Sequence, residues 1–207
     1  MPNLKPFKPD LFMLVGPNGS GKSSVLFESQ IARELTFVNP DDIARREFVH
    51  ISDPQTRNLL AWKECNAQRK ALLLKKANCG FETVGSHPSK LQFIRDAHSL
   101  GYFVTVVFVA TENPSINIQR IKNRVGKGGH GVPDEKVISR YHKTLSLLHD
   151  YYTLADCMTV WDNSIDATDP VSVSARKLLV KTGKETIITK YARDIIWVNE
   201  HLISKLE

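Results

Sequence analysis

Cysteine is scarce. Cys65, Cys79 and Cys157 are odd in number, far apart and without C-x-x-C spacing, which excludes a disulfide framework and a cysteine-based metal site and points to reduced intracellular thiols. No apolar run approaches the length of a membrane span. The stretch Met1 to Pro9 carries prolines where a signal peptide would have its apolar core, so a cytoplasmic protein is expected. Internal repeats and low-complexity segments are also lacking. So is any concentrated basic run. The net charge of +6 comes from 28 Lys+Arg against 22 Asp+Glu, and the cations are scattered. Many of them, Arg57, Lys63, Arg69, Lys70, Lys75 and Lys76, fall on one expected helix, where a solvated face is the ordinary reading. This distribution points away from nucleic acid and towards an anionic small substrate.

What is present is a chain of 207 residues with 42% hydrophobic and 24% charged residues, sufficient for one folded domain over residues 1–207. Its most informative stretch, Gly16-Pro17-Asn18-Gly19-Ser20-Gly21-Lys22-Ser23, fits G-x-x-x-x-G-K-[ST] at every fixed position. The apolar run Leu11 to Val15 precedes it, and Ser24 to Glu28 can begin a helix after it. Strand, loop and helix in that order let backbone N–H groups converge on an anion, with the helix dipole adding positive charge. Gly16 to Ser24 are therefore the candidate nucleotide-binding residues for ATP or GTP. Lys22 reaches the outer phosphates and Ser23 is the candidate ligand of Mg²⁺.

Further along, Leu35 to Val38 reads as a short strand ending at Asn39-Pro40-Asp41-Asp42. Groups just beyond strand carboxyl ends face the ligand crevice of an open α/β sheet, which places Asp41 and Asp42 for chemistry. One of them reads equally well as the cap of a helix from Ile43 onward. A long helix is expected over about 55–77, with Leu59, Trp62, Leu72 and Leu73 among its apolar positions. Phe81 to Val84 reads as a third strand. Glu82 within it either faces solvent from a sheet edge or stands with Thr83 at an acceptor site. A helix over about 86–99 follows, then a near-continuous β-branched and aromatic strand from Tyr102 to Val109, of the kind buried on both faces of a parallel sheet. Met158 to Trp161 is a fifth strand. Strands alternating with helices give a doubly wound α/β domain. Short strands over 173–180 and 185–190 and a terminal helix over 194–206 complete the chain, and the extension over about 165–207 carries no readable function.

Between the fourth and fifth strands, Asn113-Pro114-Ser115 opens a helix on which Arg120 and Arg124 stand four apart, on one face. A glycine-dense loop, Gly126 to Pro133, leads to Asp134, an expected cap, and to a helix bearing Arg140. Singly, these arginines read as ordinary surface residues. Grouped around a mobile loop over about 124–140, they suit a lid whose planar guanidinium forks close over transferring phosphates. His130 has no companions at metal-ligand spacing.

Together these pieces resemble the zeta toxin family of P-loop kinases, in its compact bacterial members. The resemblance rests on Gly16 to Ser23, Asn39-Pro40-Asp41-Asp42-Ile43-Ala44, Phe81-Glu82-Thr83, Arg124-Val125, Gly128-Gly129-His130-Gly131-Val132-Pro133 and Arg140-Tyr141, and spans most of residues 11–164. It implies a five-stranded parallel sheet of nucleoside-kinase type in the order 2-3-1-4-5, and an ATP-dependent phosphotransferase acting on an alcohol group. The acceptor it implies is the 3′-hydroxyl of the amino sugar in UDP-N-acetylglucosamine. The family's catalytic base falls on Asp41 and its lid arginines on Arg124 and Arg140, with Arg120 a further candidate. Glu82, Thr83 and His130 then lie on the acceptor side. Founding members act with an antitoxin, so an antitoxin protein is a candidate partner. Ser139-Arg140-Tyr141 stands where many compact relatives have Arg-Arg-Tyr, which leaves the acceptor open to another hydroxyl, of a nucleoside, an antibiotic or a polynucleotide end. An ATP-binding switch with little turnover is the reading from a different class.

Overall fold

The computed structural model describes residues 8–28, 35–129, 131–165 and 175–207. Its strands are β1 (Asp10–Val15), β2 (Thr36–Phe37), β3 (Cys79–Thr83), β4 (Phe103–Ala110), β5 (Cys157–Asp162), β6 (Arg176–Thr182) and β7 (Glu185–Ile188). Between and after them lie the helices α1 (Lys22–Glu28), α2 (Pro40–Glu47), α3 (Pro54–Leu74), α4 (Ser89–Ser99), α5 (Pro114–Gly126), α6 (Asp134–Ser146), α7 (Leu148–Leu154) and α8 (Ile196–His201).

The seven strands form one sheet in the order β2-β3-β1-β4-β5-β6-β7. The first five are parallel throughout, as expected. The antiparallel hairpin β6–β7 continues the sheet beyond β5, so the parallel part is five strands of a larger mixed sheet. Leu11 to Val15 are buried on both faces. Leu11, Met13 and Val15 enter one core layer, and Phe12 and Leu14 enter the other. This is why β1 reads as an unbroken apolar run rather than an alternating one.

β3 lies between β1 and β2 and so is not an edge strand, although the β2 ladder reaches only Cys79 and Gly80 and Glu82 is paired with β1 alone. α3 also departs from expectation. Leu59 and Trp62 are 52% and 53% exposed, and the buried residues are Ala61, Cys65, Arg69 and Leu73, spaced by four. Small side chains line the close approach of α3 to α2, while Arg69, expected in solvent, lies inside.

The C-terminal extension packs onto the sheet through Trp197, Val198, Leu202 and Ile203. It also holds the end of β5. Arg176 Nη2 donates to Asp162 Oδ2 at 2.8 Å, and Trp197 Nε1 donates to Asp162 Oδ1 at 3.3 Å.

Candidate active site

The loop after β1 leaves the sheet between β3 and β4. Gly16 N donates to Thr83 O at 3.2 Å on one side, and a Cβ on Gly16 would lie 2.0 Å from Val109 O on the other, so only glycine fits. Gly21 has φ +80°, and a Cβ there would meet Asn163 Nδ2 at 2.1 Å. Lys22 begins α1.

Two asparagines brace the loop from behind. Asn163 Nδ2 donates to Ser20 O at 2.9 Å, and Asn117 Nδ2 donates to Asn18 O at 2.7 Å. Arg120 holds the first of these in turn, donating from Nη1 to Asn163 O at 2.8 Å and from Nη2 to Ile165 O at 3.2 Å. Neither asparagine role was anticipated. Asn163 follows the carboxyl end of β5, a position where ligand-side groups are expected; Asn117 lies within a helix and carries no such signal.

Lys22 is 6% exposed, and its Nζ donates to Gly16 O at 2.8 Å and Pro17 O at 3.0 Å. The same nitrogen lies 3.5 Å from Glu82 Oε1. Burial pulls the Lys22 pKa below the usual lysine range, the Glu82 carboxylate opposes the shift, and the charge of Arg124 adds to it. The end of β3 and the lid helix α5 are thereby brought to one lysine. Thr83, beside Glu82, accepts from Gly85 N at its hydroxyl, at 3.2 Å.

On the lid side, Arg120, Asn123, Arg124, Lys127 and Gly129 line one cleft of about 310 Å³. This agrees with a shared face for the two arginines. From α6, Arg140 Nη1 donates to Asn18 Oδ1 at 3.2 Å, linking that helix to the phosphate loop. Asp134 is not the cap of α6. It is the helix's first residue after Pro133, and its carboxylate pairs with Lys122 Nζ at 2.9 Å, tying α6 to α5. His130 lies outside the described residues.

On the other side, α2 begins at Pro40 and not at Ile43, and its cap is Asn39, whose side chain accepts from Asp41 N at 2.8 Å. The expectation that Asp41 or Asp42 caps a helix from Ile43 is therefore corrected: both lie inside the first turn, and Asp42 pairs with Arg45. Pro at the first helical position with Asn before it leaves no cap for an aspartate to supply. Successive helical residues diverge, and the two aspartates line different clefts. Asp41 lines one of about 350 Å³ with Arg45, Arg57 and Asn58; Asp42 lines one of about 240 Å³ with Asn39, Arg46 and Gln68.

Ser23 and Ser24 are exposed at the start of α1. A lone hydroxyl beside a phosphate cradle suits Mg²⁺, which keeps several waters and shares substrate phosphates rather than needing an all-protein cage. Among the described residues no helix is long and apolar enough to cross a membrane.

No model of a known protein family matches the chain. An uncharacterized protein of Haemophilus influenzae is 33% identical over 132 residues, covering 61% of this chain and 88% of that protein. Among solved structures, the crystal structure of AvrRxo1-ORF1:-ORF2 with ATP matches with a TM-score of 0.67 and 13% identity, over 92% of this chain. This chain spans 64% of the length of the chain it matches there. The PezAT chromosomal toxin-antitoxin system of Streptococcus pneumoniae matches with a TM-score of 0.58 and 12% identity, over 95% of this chain and 88% of that one.

Proposed function

We propose that this chain, which belongs to one family with the Haemophilus influenzae protein and has the zeta-toxin-like P-loop kinase fold, is an ATP-dependent phosphotransferase acting on a hydroxyl group. The observation that carries the proposal is the convergence on Lys22. A phosphate-loop lysine has the Glu82 carboxylate 3.5 Å away, and the charge of the lid residue Arg124 acts on it as well. A nucleotide switch needs the loop but not groups for an acceptor and a transition state beside it. The ATP named for the AvrRxo1 structure supports ATP as the nucleotide.

In this reading the loop amides and Lys22 hold the β- and γ-phosphates, and Ser23 holds Mg²⁺, which neutralises charge on those phosphates when bound. Asp41 takes the proton of the acceptor hydroxyl. Arg124 and Arg140 neutralise the equatorial oxygens as the phosphoryl group moves, while Arg120 acts from below through Asn163. The favoured acceptor is UDP-N-acetylglucosamine, bound on the side of Glu82 and Thr83. The toxin-antitoxin system among the structural neighbours supports an antitoxin as a protein partner.

The test supplies Mg-ATP labelled at the γ-phosphate and follows label into UDP-N-acetylglucosamine, with nucleosides and a polynucleotide 5′ end as parallel acceptors. Label in the sugar nucleotide is the expected result. Steady ATP binding without transfer to any hydroxyl would leave the switch reading in its place.

The lid arginines are expected to separate rate from binding. Arg124→Ala or Arg140→Ala should each lower kcat by about 10- to 100-fold, less than a lone arginine finger because two share the charge, with a smaller change in ATP affinity. Steady-state kinetics against ATP check this. A raised KM at constant kcat would make the residue a ground-state clamp instead.

A further inference from the structure

Arg69 has no part in the proposed transfer chemistry, yet burying it is costly. It is 6% exposed, its Nε has no hydrogen-bond partner, and among the described residues no carboxylate pairs with it. Burial lowers its pKa, opposed by the Cys65 and Cys79 thiols, and its charge in turn adds to burial in lowering that of nearby Lys90. A buried guanidinium without a counter-ion works against stability, and an apolar side chain of similar volume is commonly tolerated better.

Its two contacts indicate what it is retained for. Nη2 donates to Val38 O at 2.9 Å, and Cζ lies 4.0 Å from the centroid of the Phe81 ring. Val38 directly precedes Asn39, whose side chain accepts from Asp41 N and so sets the first turn of α2. Phe81 directly precedes Glu82, the carboxylate beside Lys22. β2 is a sheet-edge strand of two residues, Thr36 and Phe37; beyond its ladder Val38 N donates to Gly80 O at 3.1 Å, and the weak Cys65 Sγ donor reaches Val38 O at 3.8 Å. Such a strand holds its own end poorly. Arg69, rising from α3, grips that end and β3 together.

We infer that Arg69 is a positioning residue that fixes the ends of β2 and β3 relative to each other, and so places Asp41 and Glu82 about the acceptor hydroxyl. The inference rests on the reading of Asp41 as the base.

The experiment compares the native chain with Arg69→Met and Arg69→Lys. In Arg69→Met the thermal midpoint should not fall, because the desolvated charge is gone, while amide exchange over 39–44 and 82–85 should quicken and that of β4 and β5 should not. Transfer from Mg-ATP to UDP-N-acetylglucosamine should drop roughly 10- to 100-fold in kcat with KM for ATP unchanged, the scale of a small misplacement of a catalytic group. Arg69→Lys, still a donor, should recover part of it. In the Asp41→Asn background, Arg69→Met should lower transfer by less than it does in the native chain, since the part that acts through Asp41 is gone and only the placement of Glu82 remains.

A fall in thermal midpoint with exchange quickening evenly through the sheet would make Arg69 merely structural and overturn the inference. Native exchange and native transfer in Arg69→Met, with Asp41→Asn inactive, would overturn it while leaving the base reading intact. An active Asp41→Asn would instead remove the base reading and with it the catalytic half of the inference. The exchange pattern needs no acceptor and decides separately whether Arg69 holds the two strand ends.

Discussion

Asp41→Asn is expected to bind ATP as the native chain does and to transfer phosphate roughly 10²- to 10⁴-fold more slowly. An alcohol is a poor nucleophile until its proton has an acceptor, and a carboxylate held in place both receives the proton and orients the oxygen in line with the γ-phosphate. Asparagine keeps the size and the hydrogen bonding but loses the basicity. It also leaves the helix start alone, because the bond made by residue 41 to the Asn39 cap comes from the backbone N–H. Asp42→Asn is the matched control. Its carboxylate pairs with Arg45 at an exposed surface, where such pairs contribute little, and it lines a different cleft from Asp41. Transfer should therefore stay near native in Asp42→Asn. Measuring both variants with Mg-ATP, with and without UDP-N-acetylglucosamine, checks the assignment. If Asp42→Asn were inactive and Asp41→Asn near native, the base would be placed one residue too early.

Much of this framework follows from local signals. The unbroken run Leu11 to Val15, the glycine spacing and the helix that follows are each local, so strand, loop and helix could be read in order. Arg120 and Arg124 could be placed together because their separation matches the helical repeat. The misreadings have physical causes as well. Asn39-Pro40 carries the same cap-and-proline signal as Asn113-Pro114, and reading only the second cost Asp42 its correct role. Asn117 and Asn163 brace the phosphate loop from residues about 100 and 140 positions away, through contacts that no periodicity encodes. Arg69 looks like one more cation on a basic helix until the sheet beneath it is in place; its stacking partner Phe81 lies on a strand that begins only after the helix ends. Trp62 counts among the apolar positions of the expected helix yet is exposed, because the close helix contact favours Ala61 and Cys65.

Lys22→Ala is expected to abolish the rise in thermal midpoint that Mg-ATP gives the native chain, and to lower kcat/KM for ATP by on the order of 10²- to 10³-fold. Lys22 Nζ bonds the loop's own carbonyls at Gly16 and Pro17, so what the substitution removes is a charge waiting for phosphate. That waiting has a cost. Because burial holds the Lys22 pKa down, the unfolded chain binds this proton more tightly than the folded one. The native lysine therefore works against folding at neutral pH, and this penalty fades as pH rises through the folded pKa into the ordinary lysine range. Without nucleotide, the thermal midpoint of Lys22→Ala should consequently not lie well below that of the native chain near pH 7, and any advantage it has should shrink at alkaline pH. With nucleotide the order reverses, since only the native chain has the loop lysine to hold the β- and γ-phosphates. Thermal melts with and without Mg-ATP across that pH range, together with turnover of the same samples, separate the two contributions. Undiminished turnover in Lys22→Ala would remove the phosphate loop from the mechanism.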